Sequence, residues 1–479
     1  MKRIIPVISA LLLLFSGCRD KTDYSQILDD IQENLDFGNI TAVMQITDSL
    51  KKSDVSDKDA IHVADSLGQI ASRIGIDFSI SEAEEMSKLK KLLPSVSSDS
   101  ISVWEKKGWL EWKTIDGEKK YFKRAANNLI LLKKFYEDKN SQLKEIAKQP
   151  DMIFRLKHTG QVMQTLGNKS NPAVPVKMKV TYTITVKNGA VPEGKMIRCW
   201  LPWPKSGQQR QHDIKLLSSS YPVYTISPDT AIHSTLYMEA LSKKGIPAEF
   251  KISYEYISDA QHFNIDEINE APYDTNSELY KKYTSEQLPD ICFTDNIRQL
   301  ADSITAGETD PVRVVRKLYM WFKNNIPWTG ALEYSIIPNI PDYVYVNRRG
   351  DCGMQTFMFI SMLRYKGIPV KWQSGWMMPP GYENLHDWSE VYFEGTGWVP
   401  VDVSYDLQNT DNPQLKYFYM SGIDSYRLIV NDGVSGPLHP EKTFMRSEPF
   451  DFQRGEVEWT GGNLYFDKWD YNMEIEYIK

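Results

Sequence analysis

Residues 350–369 read GDCGMQTFMFISMLRYKGIP. Apolar residues recur in this stretch at helical spacing, at Phe357, Ile360 and Leu363. The spacing predicts a helix that begins at Cys352 and ends at Gly367, a suitable residue just past a helix C-terminus. A cysteine at a helix N-terminus lies near the positive end of the helix dipole, which favours the nucleophilic thiolate. Its backbone N–H would also point toward a developing oxyanion. Cys352 is therefore a candidate nucleophile, and a cysteine that only packs in the core is the alternative.

A second informative stretch, residues 386–402, reads HDWSEVYFEGTGWVPVD. Alternating residues predict a strand, a turn at 394–397 and a returning strand. A hairpin centred on residue 394 would set His386 opposite Asp402, with Cβ atoms about 5 Å apart. A carboxylate in that position fixes the tautomer of an imidazole whose other nitrogen serves a nucleophile. Asp387 should point to the opposite face of the sheet, so Asp402 is the predicted partner.

These blocks, in this order, resemble the core of the transglutaminase-like superfamily. The matching residues are Gly350-Asp351-Cys352, His386-x-Trp388-x-Glu390-Val391-Tyr392 and Gly397-Trp398-x-Pro400-Val401-Asp402. The resemblance covers about residues 290 to 410 and implies a papain-like fold with a Cys–His–Asp triad. It implies Cys352 as nucleophile, His386 as general base and acid, and Asp402 as the residue that orients the histidine. Crosslinking members use an upstream tryptophan N–H as a second oxyanion donor, and Trp328 is the nearest candidate, with Trp321 behind it.

The first residues predict export to the bacterial cell envelope. Lys2 and Arg3 precede an apolar run that is too short to span a membrane comfortably. Residues 14–18, LFSGC, resemble a lipobox, which would make Cys18 the acylated N-terminus and the membrane the first partner. An ordinary signal peptide with a chance cysteine is the alternative. Either interpretation places the protein outside the cytoplasm, periplasmic or exposed at the surface.

The changing periodicity along the chain predicts an α+β protein of several parts. Residues 1–18 are the predicted signal peptide, and residues 22–165 read as a helical domain with one hairpin at Asp116-Gly117. Residues 174–260 alternate with period two and predict a β-sandwich. Residues 285–410 form the predicted transglutaminase-like core, and residues 411–479 a β-rich C-terminal extension.

Composition argues against several other functions. The 56 basic and 63 acidic residues give a net charge of −7, and no basic stripe indicates nucleic-acid binding. The histidines lack metal-ligand spacing, and there is neither a Cys-x-x-Cys nor a calcium-type acidic loop, so we predict no metal or cofactor. Cys199 and Cys292 are either a disulfide pair or small buried apolar residues.

The sequence therefore predicts an enzyme that acts on amide bonds through a thioester. Hydrolysis of a protein, peptide or glycopeptide is favoured over transfer to an amine, because no acyl-acceptor site is evident. The alternative from another class is a catalytically silent surface lipoprotein that binds peptide or glycan.

Overall fold

The structure is a computed structural model that describes residues 24–52, 57–138, 148–167, 169–268 and 271–478. The predicted signal peptide and Cys18 lie outside the described residues. Two compact units are present: the described residues up to 133 together with 330–339, and residues 134–329 together with the described residues from 340 on. Helices and sheets occur in both units, so the predicted α+β class is confirmed.

The first unit is mainly helical. Its elements are α1 (Ser25–Phe37), α2 (Ile40–Lys52), α3 (Lys58–Asp77), β1 (Ile80–Ser81), α4 (Glu82–Leu92), α5 (Ser98–Lys106), β2 (Trp112–Ile115), β3 (Glu118–Tyr121) and the start of α6 (Ala125–Glu137). The predicted hairpin is confirmed, because Asp116 and Gly117 join β2 to β3 with φ of 48° and 80°. Two successive positive φ angles match the twist of a tight antiparallel hairpin.

The second unit contains an antiparallel sandwich. Its first strands are β4 (Ala173–Val186), β5 (Met196–Pro202), β6 (Gln211–Ser219), β7 (Thr225–Ile226), β8 (Thr235–Leu241) and β9 (Ala248–His262). Alternate side chains of β4 are fully buried, namely Met178, Val180, Tyr182 and Ile184. The predicted period-two burial is therefore confirmed, and these residues belong to an extended apolar core of this unit.

The same unit holds the helices around the candidate site. They are α7 (Pro150–Leu166), α8 (Glu278–Thr284), α9 (Asp295–Thr305), α10 (Pro311–Asn325), α11 (Ile340–Asn347), α12 (Cys352–Tyr365) and α13 (Pro413–Lys416). Helix α12 begins at Cys352 as predicted, and Gly367, with φ of 75°, follows its end. Helix α12 packs on the neighbouring sheet through aromatic side chains, and its Phe357 stacks on Trp372 with ring centroids 4.2 Å apart.

The remaining strands build a central sheet and complete the sandwich. They are β10 (Val370–Met377), β11 (Asn384–Phe393), β12 (Gly397–Val401), β13 (Gly422–Ile423), β14 (Arg427–Asn431), β15 (Glu456–Trp459), β16 (Gly462–Leu464) and β17 (Trp469–Ile478). The central sheet has the order β12-β11-β10-β14. The two sandwich sheets have the orders β13-β9-β4-β17, with β6 also paired to β9, and β16-β15-β5-β8-β7. Residues 411–479 thus supply strands to both the central sheet and the sandwich.

Candidate active site

The start of α12 presents Cys352 at the end of a fixed loop. Asp351 caps the helix, because its side-chain Oδ1 accepts a hydrogen bond of 3.0 Å from the backbone N–H of Met354. Just before it, the backbone N–H of Gly350 donates to Pro327 O at 3.3 Å, and its carbonyl accepts from Thr329 N–H at 3.1 Å. The entry into the helix is therefore held on both sides of Cys352.

The hairpin that carries His386 differs in register from our prediction. The observed ladder pairs Ser389 with Val401 and Phe393 with Gly397, so the turn is centred on Gly395 rather than residue 394. The ladder also stops at Val401, and Asp402 lies beyond it with its N–H bonded to Tyr419 O at 2.8 Å. His386 and Asp402 are consequently not directly opposed strand partners. The prediction was wrong because the turn consists of Glu394, Gly395 and Thr396. Its centre lies one residue later than predicted, so each residue of β11 pairs two residues further along β12.

His386 and Asp402 nevertheless meet through their side chains. The distance from His386 Nε2 to Asp402 Oδ2 is 2.6 Å, and both residues are at least 95% buried. Burial alone would raise the pKa of Asp402, but His386, Arg427 and Lys323 together lower it below its usual range. Burial lowers the pKa of His386 and outweighs the opposite effect of Asp402. The pair therefore consists of a carboxylate and a mainly neutral imidazole, a combination suited to accept a proton.

The thiol of Cys352 has a partner that the sequence did not indicate. Cys352 Sγ donates to Asp387 Oδ2 at 3.2 Å, and the backbone N–H of Asp387 also hydrogen-bonds the sulfur. Burial, followed by the carboxyl groups of Asp387 and Asp351, raises the pKa of the thiol well above its ordinary value. This direction is opposite to the effect expected from the helix dipole. The negative neighbours act at contact distance, whereas the dipole represents only about half a charge.

Trp328 lies next to the loop that leads into Cys352. It forms a parallel bridge with Gly350, two residues before the cysteine, and 45% of its surface is exposed. The exposed indole is therefore available to a ligand on this side of the helix start. Trp321, the other tryptophan considered, lies on α10 and carries the guanidinium of Arg348 over its ring at 5.4 Å.

Three further residues near the site were missed by the sequence argument. Arg427 Nη1 lies 3.1 Å from Asp402 Oδ2. Gln453 Nε2 donates to Asp387 Oδ1 at 2.7 Å and to the backbone oxygen of His386 at 2.9 Å. Asp451 hydrogen-bonds Asp387 through its side chain. Arg427, Asp451 and Gln453 carry no local motif and lie 25 to 51 residues beyond Asp402 in the chain, so no spacing pointed to them.

The remaining cysteines do not belong to the candidate site. Cys199 and Cys292 are both buried and are not joined by a disulfide, which resolves the open alternative in favour of small buried residues. Among the described residues, no group of three or more histidine, cysteine, aspartate or glutamate side chains is placed to hold a metal ion. No helix within the described ranges combines the length and hydropathy needed to cross a membrane.

Comparison with known proteins identifies a family for part of the chain. Residues 298–403 match the Transglutaminase-like superfamily. The chain is 24% identical over 276 residues to the uncharacterized protein YebA of Bacillus subtilis, and the match covers 49% of this chain and 37% of YebA. This chain therefore spans little more than a third of the length of that curated relative.

Solved structures with lower similarity were also found. A candidate cysteine protease from Cytophaga hutchinsonii is 14% identical, with a TM-score of 0.41 over 64% of this chain and 92% of that one. The periplasmic domain of TgpA from Pseudomonas aeruginosa is 16% identical, with a TM-score of 0.24 over 50% of this chain and 90% of that one.

Proposed function

Because residues 298–403 belong to the transglutaminase-like superfamily, we propose that this protein is a cysteine hydrolase that cleaves amide bonds through a thioester. The observation that carries the proposal is the buried contact of 2.6 Å between His386 and Asp402. This pair lies at the sheet on which α12 packs, and α12 presents Cys352 at its first turn. A nucleophile, a base and a group that orients the base are the parts that acyl transfer requires.

In the proposed reaction, Cys352 loses its proton to His386 and its sulfur attacks the amide carbonyl. With the proton on Nε2 directed at Asp402, Nδ1 of His386 is the nitrogen that takes the thiol proton. The backbone N–H of Cys352, and the indole N–H of Trp328 on the adjacent loop, are the proposed oxyanion donors. Collapse of the tetrahedral species breaks the C–N bond, and the imidazolium returns the proton to the departing amine.

Water completes the proposed cycle by hydrolysing the thioester. Transfer to an amine would use the same triad, and we favour hydrolysis because no acyl-acceptor site was identified in the sequence. The proposed substrates are proteins, peptides or glycopeptides. We further propose that the chain acts in the cell envelope, tethered by lipid on Cys18, on the basis of the LFSGC stretch at 14–18.

A second candidate function is favoured by one observation. The thiol of Cys352 is half-buried, contacts the carboxyl of Asp387 and has a raised pKa, so its resting state is the unreactive thiol. A silent peptide- or glycan-binding lipoprotein would tolerate such a contact. The same observation also fits an enzyme whose nucleophile is ionised only at the moment of attack.

The test compares the reactivity of the three described cysteines in the full chain. The protein is treated with iodoacetamide from pH 5 to 9, and peptide mass spectrometry follows each labelled cysteine. We expect Cys352 to react at least tenfold faster than Cys199 or Cys292 near neutral pH, because those two are fully buried. Equally slow labelling of all three cysteines would favour the binding function.

A second assay separates the two enzymatic outcomes. The full chain is incubated with casein, with and without a fluorescent primary amine, and both peptide release and label incorporation are measured. Peptide release that is lost in Cys352→Ala and retained in the matched variant Cys292→Ala is the expected result. Incorporation of the amine that depends on Cys352, without peptide release, would replace hydrolysis by crosslinking.

A further inference from the structure

Asp387 is a buried carboxyl that contacts the proposed nucleophile without being part of the triad. Its Oδ2 accepts the Cys352 thiol at 3.2 Å, and its Oδ1 accepts from Gln453 Nε2 at 2.7 Å. It lies on β11 opposite Ser374, on the face of the sheet where Trp372 stacks against α12. The side chain is 3% exposed, so solvent does not screen its charge from the sulfur.

A second carboxyl, Asp451, stands behind Asp387 and hydrogen-bonds it. Three donors fix Asp451 Oδ1: Ser374 Oγ at 2.6 Å, Asn431 Nδ2 at 2.8 Å and the backbone N–H of Phe452 at 2.7 Å. Two carboxyls that hydrogen-bond each other must share a proton, because neither oxygen can donate when both groups are ionised.

The charges that face this pair disfavour full ionisation. Asp351, at the N-cap of α12, adds a negative neighbour to Asp387, and Glu448, on the segment before β15, adds one to Asp451. Burial raises the pKa of both carboxyls, that of Asp451 to about 6. The pair therefore retains a proton into the pH range in which enzymes of this kind work.

We propose that Asp387 sets the protonation state of Cys352, with Asp451 determining how readily Asp387 holds a proton. This inference rests on the proposed function. When Asp387 is ionised, it accepts the S–H bond and places a negative charge against the sulfur, which opposes formation of the thiolate. When the shared proton resides on Asp387, that carboxyl is neutral and its O–H is directed at Asp451. Transfer of the thiol proton to His386 then leaves a thiolate beside a neutral group.

The decisive test is Asp387→Asn in the full chain. Asparagine keeps the shape of aspartate and its acceptor oxygen for Gln453, but it removes the negative charge and offers an N–H to sulfur. We expect the midpoint of the Cys352 alkylation profile, measured with iodoacetamide from about pH 6 to 11, to fall by at least about one pH unit. Alkylation at neutral pH should then be about tenfold faster than in the unaltered protein.

A second variant tests the role of Asp451, and it should shift the Cys352 alkylation midpoint in the opposite direction. Asp451→Asn can keep its Oδ1 for Ser374, Asn431 and Phe452, which places its NH₂ group toward Asp387. That donor favours the ionised form of Asp387, so the alkylation midpoint of Cys352 should rise. Asp411→Asn, at an exposed aspartate of the same unit, is the matched control and should leave the profile unchanged. A merely structural role for the pair would not move the two midpoints in opposite directions.

The outcomes separate this inference from the proposed function. Fast labelling of Cys352 together with an unchanged or slower rate in Asp387→Asn overturns the inference alone, and a slower rate would instead identify Asp387 as a base for the thiol. Slow labelling of Cys352, equal to that of Cys199 and Cys292 in both proteins, overturns the enzymatic proposal and this inference together. A melting curve of each variant verifies that it is folded.

Discussion

Arg427 Nη1 lies 3.1 Å from Asp402 Oδ2, the same carboxylate oxygen that His386 Nε2 contacts at 2.6 Å. Arg427 is fully buried and also pairs with Asp424 at 3.0 Å. Its positive charge therefore compensates two buried carboxylates. Together with His386, whose effect is larger, Arg427 keeps Asp402 ionised even though burial opposes its charge.

Removing this guanidinium should destabilise the protein strongly. We expect Arg427→Met to lower the free energy of unfolding by about 3–5 kcal/mol, because two buried carboxylates lose their common partner. The measurement is urea unfolding followed by tryptophan fluorescence. Arg313→Met is the control, because the side chain of Arg313 is 70% exposed and its ion pairs are at the surface. This substitution should change the free energy of unfolding by less than about 1 kcal/mol. Equal effects of the two variants would contradict this assignment.

The orienting role proposed for Asp402 makes a prediction about activity. In Asp402→Asn the amide cannot compensate an imidazolium, so the pKa of His386 should fall further and the base should weaken. We expect amide hydrolysis to drop by at least about 100-fold while the fold is retained. The assay is the initial rate of peptide release across pH 5 to 9. Asp406→Asn, at an exposed neighbour, should keep the original rate; if it falls equally, the loss is not specific to Asp402.

The N–H group of Trp328 can be tested separately from its aromatic surface. Trp328→Phe keeps an aromatic surface next to Gly350 but removes the N–H group. If that group holds the oxyanion, kcat should fall by about 100-fold with KM little changed, since the contact forms only in the transition state. Trp321→Phe, on α10, is the matched control and should retain kcat. A rise in KM alone would show that Trp328 binds substrate rather than the oxyanion.

Asp451 should influence stability in a defined pH range. Its pKa rises from 3.8 to about 6 in the folded protein, because burial and Glu448 disfavour the charge. Between about pH 4 and 6 the folded chain binds the proton that the unfolded chain has lost, so this group lowers the free energy of unfolding as the pH rises. Asp451→Asn removes that contribution. The free energy of unfolding of the variant minus that of the original protein should therefore be more positive at pH 7 than at pH 4.5, as measured by urea unfolding. If this difference in the free energy of unfolding is the same at both pH values, the pKa of Asp451 is not raised in the folded protein.

Local signals in the sequence were sufficient for the parts of the site that depend on one segment. The start of α12 at Cys352 follows from its apolar spacing, and its end follows from Gly367. The period-two pattern of β4 likewise gave its buried face correctly. In each case the determinants lie within about 15 residues, where propensity and periodicity act directly.

Features that depend on packing between distant segments were not accessible in this way. The error in the predicted hairpin register arose at Gly395, which has a φ of 87°. A glycine in this conformation permits a three-residue turn, whereas the alternating pattern predicted a turn of four residues. The alternation rule correctly separated Asp387 from His386 but could not tell which face of the sheet α12 would cover. Arg427 and Gln453 reach the site from the far C-terminal part of the chain, and only the tertiary fold brings them there.

The position of β14 has a practical consequence for anyone who wishes to isolate the transglutaminase-like domain. The family match ends at residue 403, yet β14, at residues 427–431, pairs with β10 inside the same sheet. A fragment cut at the family boundary would leave β10 with an unpaired edge of backbone N–H and C=O groups, which invites aggregation. It would also lack the guanidinium beside Asp402 and the amide that holds Asp387. Inactivity of such a fragment would reflect its truncation and would carry no information about the chemistry of the intact chain.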